Sequence, residues 1–363
     1  MRVLHCIWRM NMGGAERQLV HLSSALIRRN VDVHVVTVHP GENDTPLAES
    51  GATIHHLASL AKYDPLLVPR TAALIRRLRP DVVSTWLTQM DIIGGLAAAV
   101  IGVPRVLNER CSGEAYPPSL LHYVRARIGA GSQAIVANSK GGGDYWLPYL
   151  EDEGRMHVIQ NIVPKDEIDA APRHVDGIGE EVPVVLFVGR FSAEKNLERL
   201  IDALAIALQR RPMKAVFCGD GPLRPAIEAR ALQLGIADRL LFLGIVTNVW
   251  GWMKRAAALV AVSVSEGDPN AVLEGIACGT PLVLSDIPAH ASLVGVDAAW
   301  FVDPSSSVSI ASGIVSAIAD ETEGRVRARR ARATIESRSA AEIAARHEEV
   351  YRGIIKTIVG RSN

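Results

Sequence analysis

The sequence predicts an α/β protein made of two successive domains, each with a parallel sheet covered by helices on both faces. Short apolar runs alternate with amphipathic segments of helical length. This alternation stops in a polar stretch with three prolines, residues 164–183, and then starts again. The length of 363 residues also exceeds what one hydrophobic core usually organises.

Apolar runs of strand length define the predicted sheet of the first half. These strands are Arg2–Trp8, Val31–Val38, Thr53–His55, Asp81–Ser84, Arg105–Asn108, Ala134–Ala137 and Met156–Ile159. The main helical segments between them are Ala15–Arg29, Pro65–Leu78, Asp91–Ile101, Ser119–Ile128 and Gly142–Leu150. The first domain is therefore predicted to span residues 1–168.

The same pattern predicts a second domain over residues 180–339, after a linker at 164–183. Its strands are Val184–Val188, Lys214–Cys218, Leu240–Phe242, Ala258–Val264, Pro281–Leu284 and Ala298–Val302. The stretch from Arg325 to Val359 is rich in Arg, Ala and Glu and predicts one or two terminal helices.

The composition, with 48% hydrophobic and 21% charged residues, predicts a soluble globular protein rather than a disordered one. Basic and acidic residues balance at 39 each, so the net charge predicts no nucleic-acid partner. Residues 1–150 hold 15 basic and 11 acidic side chains, a mild excess that favours an anionic acceptor or peripheral contact with a membrane through the first domain.

The four cysteines are widely spaced, which argues against a zinc knuckle or a redox pair and favours a reducing, cytoplasmic location. The opening RVLHCIW is too short for a signal peptide. The longest apolar stretch, Ile92–Pro104, has about 13 residues, whereas a membrane helix needs about 20. We therefore expect a cytoplasmic protein, with the inner face of the membrane as the alternative location.

Two carboxylates carry the strongest functional signal, in the segment SVSEGDPNAVLEGIACGTPLVLSD. Glu266 follows a buried strand, and Glu274 lies about one turn into a helix that begins near Pro269 and Asn270. Open α/β sheets bind ligands at this carboxyl edge, and a helix start offers free N–H groups to an anion. The carboxylates can accept hydrogen bonds from hydroxyls, and the backbone N–H groups can donate to a phosphate. This combination suits a sugar nucleotide.

This segment resembles the donor-binding motif of the retaining glycosyltransferases of family 4, which have the two-domain GT-B fold. The resemblance implies that Glu266 contacts the transferred sugar and Glu274 the ribose, with Asp268, where many relatives have an aromatic residue, close by. It also implies that Asn270, Ala271 and Val272 bind the donor at the helix start. In this fold the two domains face each other across a cleft, and a last helix, here from about Ser339 to the end (340–363), crosses back to the first domain.

Two cations precede this motif in VGRFSAEKN, between a buried strand and a helix. Arg190 can bind a diphosphate through two N–H groups, and Lys195 can act as a mobile point charge. The segment is similar to the family's Gly-Arg motif with a following lysine. Arg190, Lys195 and Glu266 are therefore the predicted catalytic residues.

Further turns at strand ends match the family's donor site. Gly219 and Gly221, in CGDGPLR, allow a tight turn, with a structural role as the alternative to ligand contact. Val246 ends FLGIV, similar to the segment whose backbone contacts the nucleobase. Gly13 and Gly14, in MGGAER, open a helix where a donor phosphate can approach.

Residues at the strand ends of the first domain are candidates for acceptor or sugar contact. Glu16 either contacts acceptor or is simply an acidic residue in the first helical turn. Arg110, in NERC, stands at or beside a position where many relatives have a histidine, so that histidine's role does not transfer. Trp86 and Asn138 are candidates to shape the acceptor pocket, with core packing as the alternative for the tryptophan.

The resemblance implies a metal-independent, retaining transferase without a cofactor. Its donor would carry a hexose or an N-acetylhexosamine, with a UDP-sugar favoured and GDP-mannose as the alternative. The acceptor would be a glycan or lipid-linked molecule of cell-surface polysaccharide or glycoconjugate synthesis. Alternatives are a nonhydrolysing sugar-nucleotide epimerase of the same fold and a non-catalytic sugar-nucleotide-binding subunit. The chain lacks the Gly-x-Gly-x-x-Gly fingerprint of a dinucleotide site.

Overall fold

The computed structural model describes residues 1–59, 61, 64–113, 116–173, 177–179 and 181–362, without the side chains of residues 359, 361 and 362. The chain forms two compact units. The first comprises Met1–Ile162 and Arg338–Asn363, and the second comprises Val163–Ser337.

The first unit contains a seven-stranded parallel sheet within the described residues. Its strands are β1 (Arg2–Cys6), β2 (Asp32–Thr37), β3 (Thr53–His56), β4 (Val82–Trp86), β5 (Arg105–Glu109), β6 (Ala134–Ala137) and β7 (Met156–Val158). Its helices are α1 (Gly14–Arg28), α2 (Asp44–Glu49), α3 (Leu67–Leu78), α4 (Leu87–Ile101), α5 (Leu120–Ala130) and α6 (Lys140–Trp146), together with a last helix from Ala340 to Ser362. The strand order is β3-β2-β1-β4-β5-β6-β7, so the direction of winding reverses between β1 and β4.

The second unit contains a six-stranded sheet, parallel like the first, in the described part of the chain. Its strands are β8 (Val184–Val188), β9 (Lys214–Cys218), β10 (Leu240–Gly244), β11 (Ala258–Ala261), β12 (Leu282–Ser285) and β13 (Trp300–Val302). Its helices are α7 (Lys165–Ala170), α8 (Leu197–Arg210), α9 (Arg224–Gln233), α10 (Val249–Arg255), α11 (Asn270–Cys278), α12 (Pro288–Ala291), α13 (Ser307–Ala319) and α14 (Glu321–Arg332). The last helix of the chain is α15 (Ala340–Ser362).

The order β10-β9-β8-β11-β12-β13 reverses between β8 and β11. Alternate residues of β8 enter different cores: Val185 and Phe187 pack on one face of the sheet, and Val184 and Leu186 on the other. Helices cover both faces, as the continuous apolar strands predict. Ligands of open α/β sheets bind at the carboxyl ends of strands beside such a reversal, which is where the predicted donor residues lie.

The predicted linker differs from the structure. Residues 174–176 and 180 lie outside the described residues, but the earlier part forms α7, and Val163 and Ile168 are buried in the core of the second unit. The first boundary therefore falls after Ile162 rather than at residue 168. A helix of six residues with one buried side chain is too short to produce a periodic signal.

Several other elements differ from the expectation: β1 ends at Cys6 rather than Trp8, α4 begins at Leu87 rather than Asp91, and α6 spans Lys140–Trp146 rather than Gly142–Leu150. The strand predicted to reach Val264 ends at Ala261, because the backbone N–H of Val264 leaves the ladder and donates to the carbonyl of Glu194 at 2.9 Å. The helix α2 was not expected from the sequence. Among the described residues, no helix is long and apolar enough to cross a membrane.

Candidate active site

Lys195 and Glu266 form an ion pair at the carboxyl edge of the second sheet. Lys195 Nζ lies 2.6 Å from Glu266 Oε1, and the two side chains are 22% and 13% exposed. Ser263 Oγ donates to the same carboxylate oxygen at 2.7 Å. Two of the three predicted catalytic residues thus meet where strands β8 and β11 end, although they are 71 residues apart in sequence.

Local structure fixes the lysine. Lys195 ends a short 3-10 turn, and Asn196 follows in the left-handed region with φ 56°. The Asn196 amide donates to the carbonyls of Val262 at 3.1 Å and Pro304 at 2.8 Å, which ties this turn to the segments that follow β11 and β13. These two hydrogen bonds anchor the turn that carries Lys195.

Arg190 lies on the same edge, two residues beyond β8, and its side chain is exposed. It forms no salt bridge with the residues that the structure describes. Beside the paired Lys195, Arg190 is available to an anion arriving from solvent.

Glu274 is held from a neighbouring helix. Its carboxylate is buried, at 6% exposure, and Oε2 accepts a hydrogen bond from Trp250 Nε1 at 2.7 Å. Trp250 belongs to α10 and was not among the site residues predicted from the sequence. Only the packing of α10 against α11 brings the indole to this carboxylate.

The predicted donor-binding residues around the start of α11 separate into two groups. Pro269 precedes the helix and provides no side-chain cap for its N–H groups. Asp268, Asn270 and Ala271 are half-buried at this end. Val272 is 1% exposed and packs in the core, so only its backbone can face a ligand.

The surroundings of Gly219 and Gly221 favour the structural role that was the alternative to ligand contact. Gly219 has φ 139°, and a Cβ there would overlap the carbonyl oxygen of Gly189. Its N–H donates to the Gly244 carbonyl at 2.7 Å. These glycines let the loops after β8, β9 and β10 pack closely. Val246, beyond β10, packs against the core.

In the first unit, Gly13 is the residue before α1 and Gly14 is its first residue. The Glu16 carboxylate folds back against Gly13, since a Cβ on that glycine would overlap it. Glu16 thus has the position of an acidic first-turn residue, where it interacts favourably with the helix dipole.

Trp86, Arg110 and Asn138 come together at the ends of β4, β5 and β6. Trp86 is 1% exposed, which favours the core-packing alternative, and its indole N–H donates to His5 Nδ1 at 3.2 Å. The Arg110 guanidinium lies 5.0 Å from the Trp86 ring centroid and hydrogen-bonds Asn161. Asn138 donates to the Arg110 carbonyl at 3.3 Å.

A buried ionic cluster lies beneath Arg110 and was not foreseen from the sequence. Arg125, 1% exposed, donates to Asp91 at 2.7 Å and to Glu109 at 2.8 Å. Tyr116 and Trp146 also donate to Glu109, at 2.6 and 2.9 Å. Burial away from water raises the pKa of Asp91 to about 6, and the nearby Glu109 carboxylate adds to this rise, while Arg125 and Thr85 oppose it.

No cluster of three or more His, Cys, Asp or Glu side chains suited to a metal ion occurs among the described residues. The cations at the candidate site are side chains, Arg190 and Lys195.

Two family models cover most of the chain. The model of glycosyl transferases group 1 matches residues 171–336, and the model of glycosyltransferase family 4 matches residues 12–167. Together with the two parallel sheets, they establish that the chain belongs to the family 4, group 1 glycosyltransferases and has the GT-B fold.

Individual relatives agree with this assignment. The lipopolysaccharide core biosynthesis glycosyltransferase LpsE of Rhizobium meliloti is 28% identical over 275 residues, 75% of each chain. An N-acetylgalactosaminyltransferase of Campylobacter jejuni, named for its diNAcBac-PP-undecaprenol-linked acceptor, is 27% identical over 76% of this chain and 77% of its own. Anabaena HepE, solved with UDP and glucose, superposes with a TM-score of 0.82 at 19% identity, covering 97% of this chain and all of HepE.

Proposed function

We propose that this glycosyltransferase is a retaining enzyme that transfers a hexose or N-acetylhexosamine from a nucleoside-diphosphate sugar, with a UDP-sugar favoured and GDP-mannose as the alternative. The observation that carries the proposal is the Lys195–Glu266 ion pair, with exposed Arg190 and buried Glu274 on the same sheet edge. The two cations that could bind a diphosphate therefore lie on the same sheet edge as the two carboxylates that could bind sugar hydroxyls.

Each charged group has a role in this proposal. Glu266 binds hydroxyls of the transferred sugar and Glu274 those of the ribose. Arg190 and Lys195 bind the diphosphate, and the N–H groups at the start of α11 add positive potential. When the bond between the anomeric carbon and the phosphate oxygen breaks, negative charge grows on the diphosphate, and these cations stabilise it.

Retention is assigned to a front-face displacement, in which the leaving diphosphate accepts the proton of the acceptor hydroxyl. The contacts of Glu266 support this. Its Oε1 accepts from both Lys195 and Ser263, which lowers its nucleophilicity and fixes it as a hydrogen-bond acceptor.

For the acceptor, we propose a glycan or lipid-linked molecule of cell-surface polysaccharide or glycoconjugate synthesis, recognised by the first unit on the cytoplasmic face of the membrane. The names of the Rhizobium and Campylobacter relatives support this class of acceptor. Leu120, Leu121 and Tyr123, at the start of α5, are 79, 47 and 63% exposed, which supports peripheral contact with lipid.

A thermal-shift panel of UDP-, GDP- and ADP-sugars tests the donor assignment. A donor at 100 times its dissociation constant should add about 2.7 kcal/mol to the unfolding free energy of the native state. We expect UDP-sugars to give the largest shift and Glu274→Ala to remove it. Absence of a shift with every nucleotide sugar would contradict the proposal.

Incubation of labelled donor without acceptor separates the alternatives. A transferase should hydrolyse the donor slowly, an epimerase should isomerise the sugar, and a binding subunit should leave it unchanged.

Metal independence is tested with excess EDTA. Arg190 and Lys195 supply the positive charge that a divalent ion would otherwise bring to the diphosphate. Transfer should therefore continue after chelation. Loss of transfer that manganese restores would show that the side-chain cations are insufficient.

A further inference from the structure

His290 contacts Ser285, which in turn hydrogen-bonds Ser263, the serine that donates to Glu266. It is 0% exposed on α12, just after β12. Its Nδ1 lies 3.0 Å from the Ser285 carbonyl oxygen and 3.1 Å from Ser285 Oγ. This histidine was not among the site residues predicted from the sequence.

Hydrogen bonds connect His290 to Glu266 through two serines. Ser285 Oγ donates to the Ser263 carbonyl at 2.6 Å, and Ser263 Oγ donates to Glu266 Oε1 at 2.7 Å. Both serines are buried: Ser285 is 0% exposed and Ser263 is 2% exposed. The connection is therefore sheltered from competing water.

The direction of these bonds determines the tautomer. A hydroxyl has one proton, and that of Ser285 is already donated to Ser263. A carbonyl oxygen only accepts, so both contacts of the imidazole with Ser285 require a proton on Nδ1. Nε2 is buried without a partner among the described residues, so a second proton there would lack an acceptor.

We propose that His290, with its proton on Nδ1, is a positioning residue that fixes Glu266 for the sugar through Ser285 and Ser263. Each hydrogen bond in this series points toward Glu266. The imidazole donates to Ser285, Ser285 Oγ donates to the Ser263 carbonyl, and Ser263 Oγ donates to the Glu266 carboxylate. Fixing the Ser263 backbone fixes the hydroxyl that orients Glu266. The catalytic part of this inference rests on the proposed function.

Three variants test it. His290→Leu removes the donor, whereas His290→Asn keeps an N–H near the place of Nδ1. The matched control is Thr280→Val, which removes another buried hydrogen bond of the same unit, from Thr280 Oγ1 to the Met253 carbonyl at 2.7 Å, at the opposite end of β12.

The first measurement needs no ligand. In ¹⁵N NMR of the wild-type protein, the His290 resonances should show protonated Nδ1 and unprotonated Nε2. The carboxyl ¹³C resonance of Glu266, assigned with Glu266→Gln, should move in His290→Leu and return toward wild type in His290→Asn. It should stay in place in Thr280→Val. A proton on Nε2 instead of Nδ1, or an unmoved Glu266 resonance in His290→Leu, would overturn the inference. This holds independently of the reaction that the protein catalyses.

The second measurement is turnover with saturating UDP-glucose, or with the donor that the thermal-shift panel identifies. His290→Leu should lower the turnover number at least about tenfold, and His290→Asn should recover most of it, while Thr280→Val should retain wild-type turnover. Equal turnover in folded His290→Leu and wild type would reduce the histidine to a packing role. If the wild type turns over no nucleotide sugar, the proposed function fails, and the NMR result still decides whether His290 positions Glu266.

Discussion

Lys195 and Glu266 form an ion pair with each other. Their partial burial, with 22% and 13% of the side chains exposed, makes the pair less screened than a surface ion pair. In the proposed function a diphosphate competes with Glu266 for Lys195, whereas Arg190 is exposed.

Substitutions of these residues should separate binding from chemistry. Glu266→Ala releases Lys195 to the diphosphate, so UDP affinity should be unchanged or higher while turnover falls. Lys195→Ala and Arg190→Lys should each lower the turnover number at least about tenfold, or about 1.4 kcal/mol of barrier, because charge on the diphosphate grows in the transition state. Calorimetry with UDP and steady-state kinetics measure both quantities. Weaker UDP binding by Glu266→Ala would contradict the competition between Glu266 and the diphosphate.

Trp250 should matter to ribose recognition through Glu274. Trp250→Phe removes the N–H that lies 2.7 Å from Glu274 Oε2 but keeps an aromatic ring. Losing a hydrogen bond to a charged group costs about 1.5–3 kcal/mol, and part of this should appear as weaker UDP affinity, by roughly tenfold. Trp252→Phe, on the same helix, is the control. If both variants bind UDP as the wild type does, the indole N–H has no role in the site.

At the scale of elements, the cluster of Asp91, Glu109 and Arg125 joins α4, β5 and α5. All three side chains are at most 1% exposed, and their mutual attraction offsets only part of the cost of taking three charges out of water. Glu109 also accepts from the backbone N–H groups of Arg110 and Cys111, at 2.8 and 2.9 Å. The cluster thus sets the start of the loop that carries Arg110.

The cluster should make the stability of the first unit depend on pH. The pKa of Asp91 is raised by burial from 3.8 to about 6, so between these values the folded state binds more protons than the unfolded state. Its contribution to stability is therefore fully present below about pH 4 and is lost as pH rises through 6. Urea unfolding of wild type and Asp91→Asn at pH 7 and pH 5 isolates this contribution. The advantage of the wild type over the variant should grow at pH 5, and a constant difference would mean that Asp91 keeps its charge.

For the whole molecule, the important feature is that the first unit is built from both ends of the chain. Within that unit α15 packs on α1, and Ile343, Ala344, Tyr351 and Ile354 are buried in the core. Glu348 pairs with Arg29 at 2.6 Å. Burying a large apolar side chain contributes about 1.5–3 kcal/mol, so this helix contributes several kcal/mol of a stability that is typically 5–15 kcal/mol.

Removing residues 338–363 should therefore unfold or loosen the first unit and spare the second. Hydrogen exchange should show lost protection in residues 1–162, while 163–337 remain protected and still bind UDP. Deleting only residues 359–363, beyond the buried positions, is the control and should have little effect. Intact protection of residues 1–162 in the longer truncation would show that α15 is not part of that core.

Much of this protein is determined by local sequence. Apolar runs of five or so residues predict the strands because both faces of a parallel sheet are buried, and the observed bounds of β6, β8 and β9 equal the predicted ones. The spacing of Glu266 and Glu274 across a strand end and a helix start predicts their place at a ligand-binding edge for the same local reason. Short elements such as α2 and α7 carry too few residues for a periodic signal.

Only the tertiary structure decided which side chains meet. Nothing in the sequence around Lys195 or Glu266 specifies their 2.6 Å contact, because it depends on β8 and β11 being neighbours in the sheet. The same holds for Trp250 with Glu274, for Arg125 between two carboxylates, and for His290 below Glu266. Hydrogen bonds and ion pairs act over a few ångströms of space, whereas sequence patterns report only which face of each element is buried.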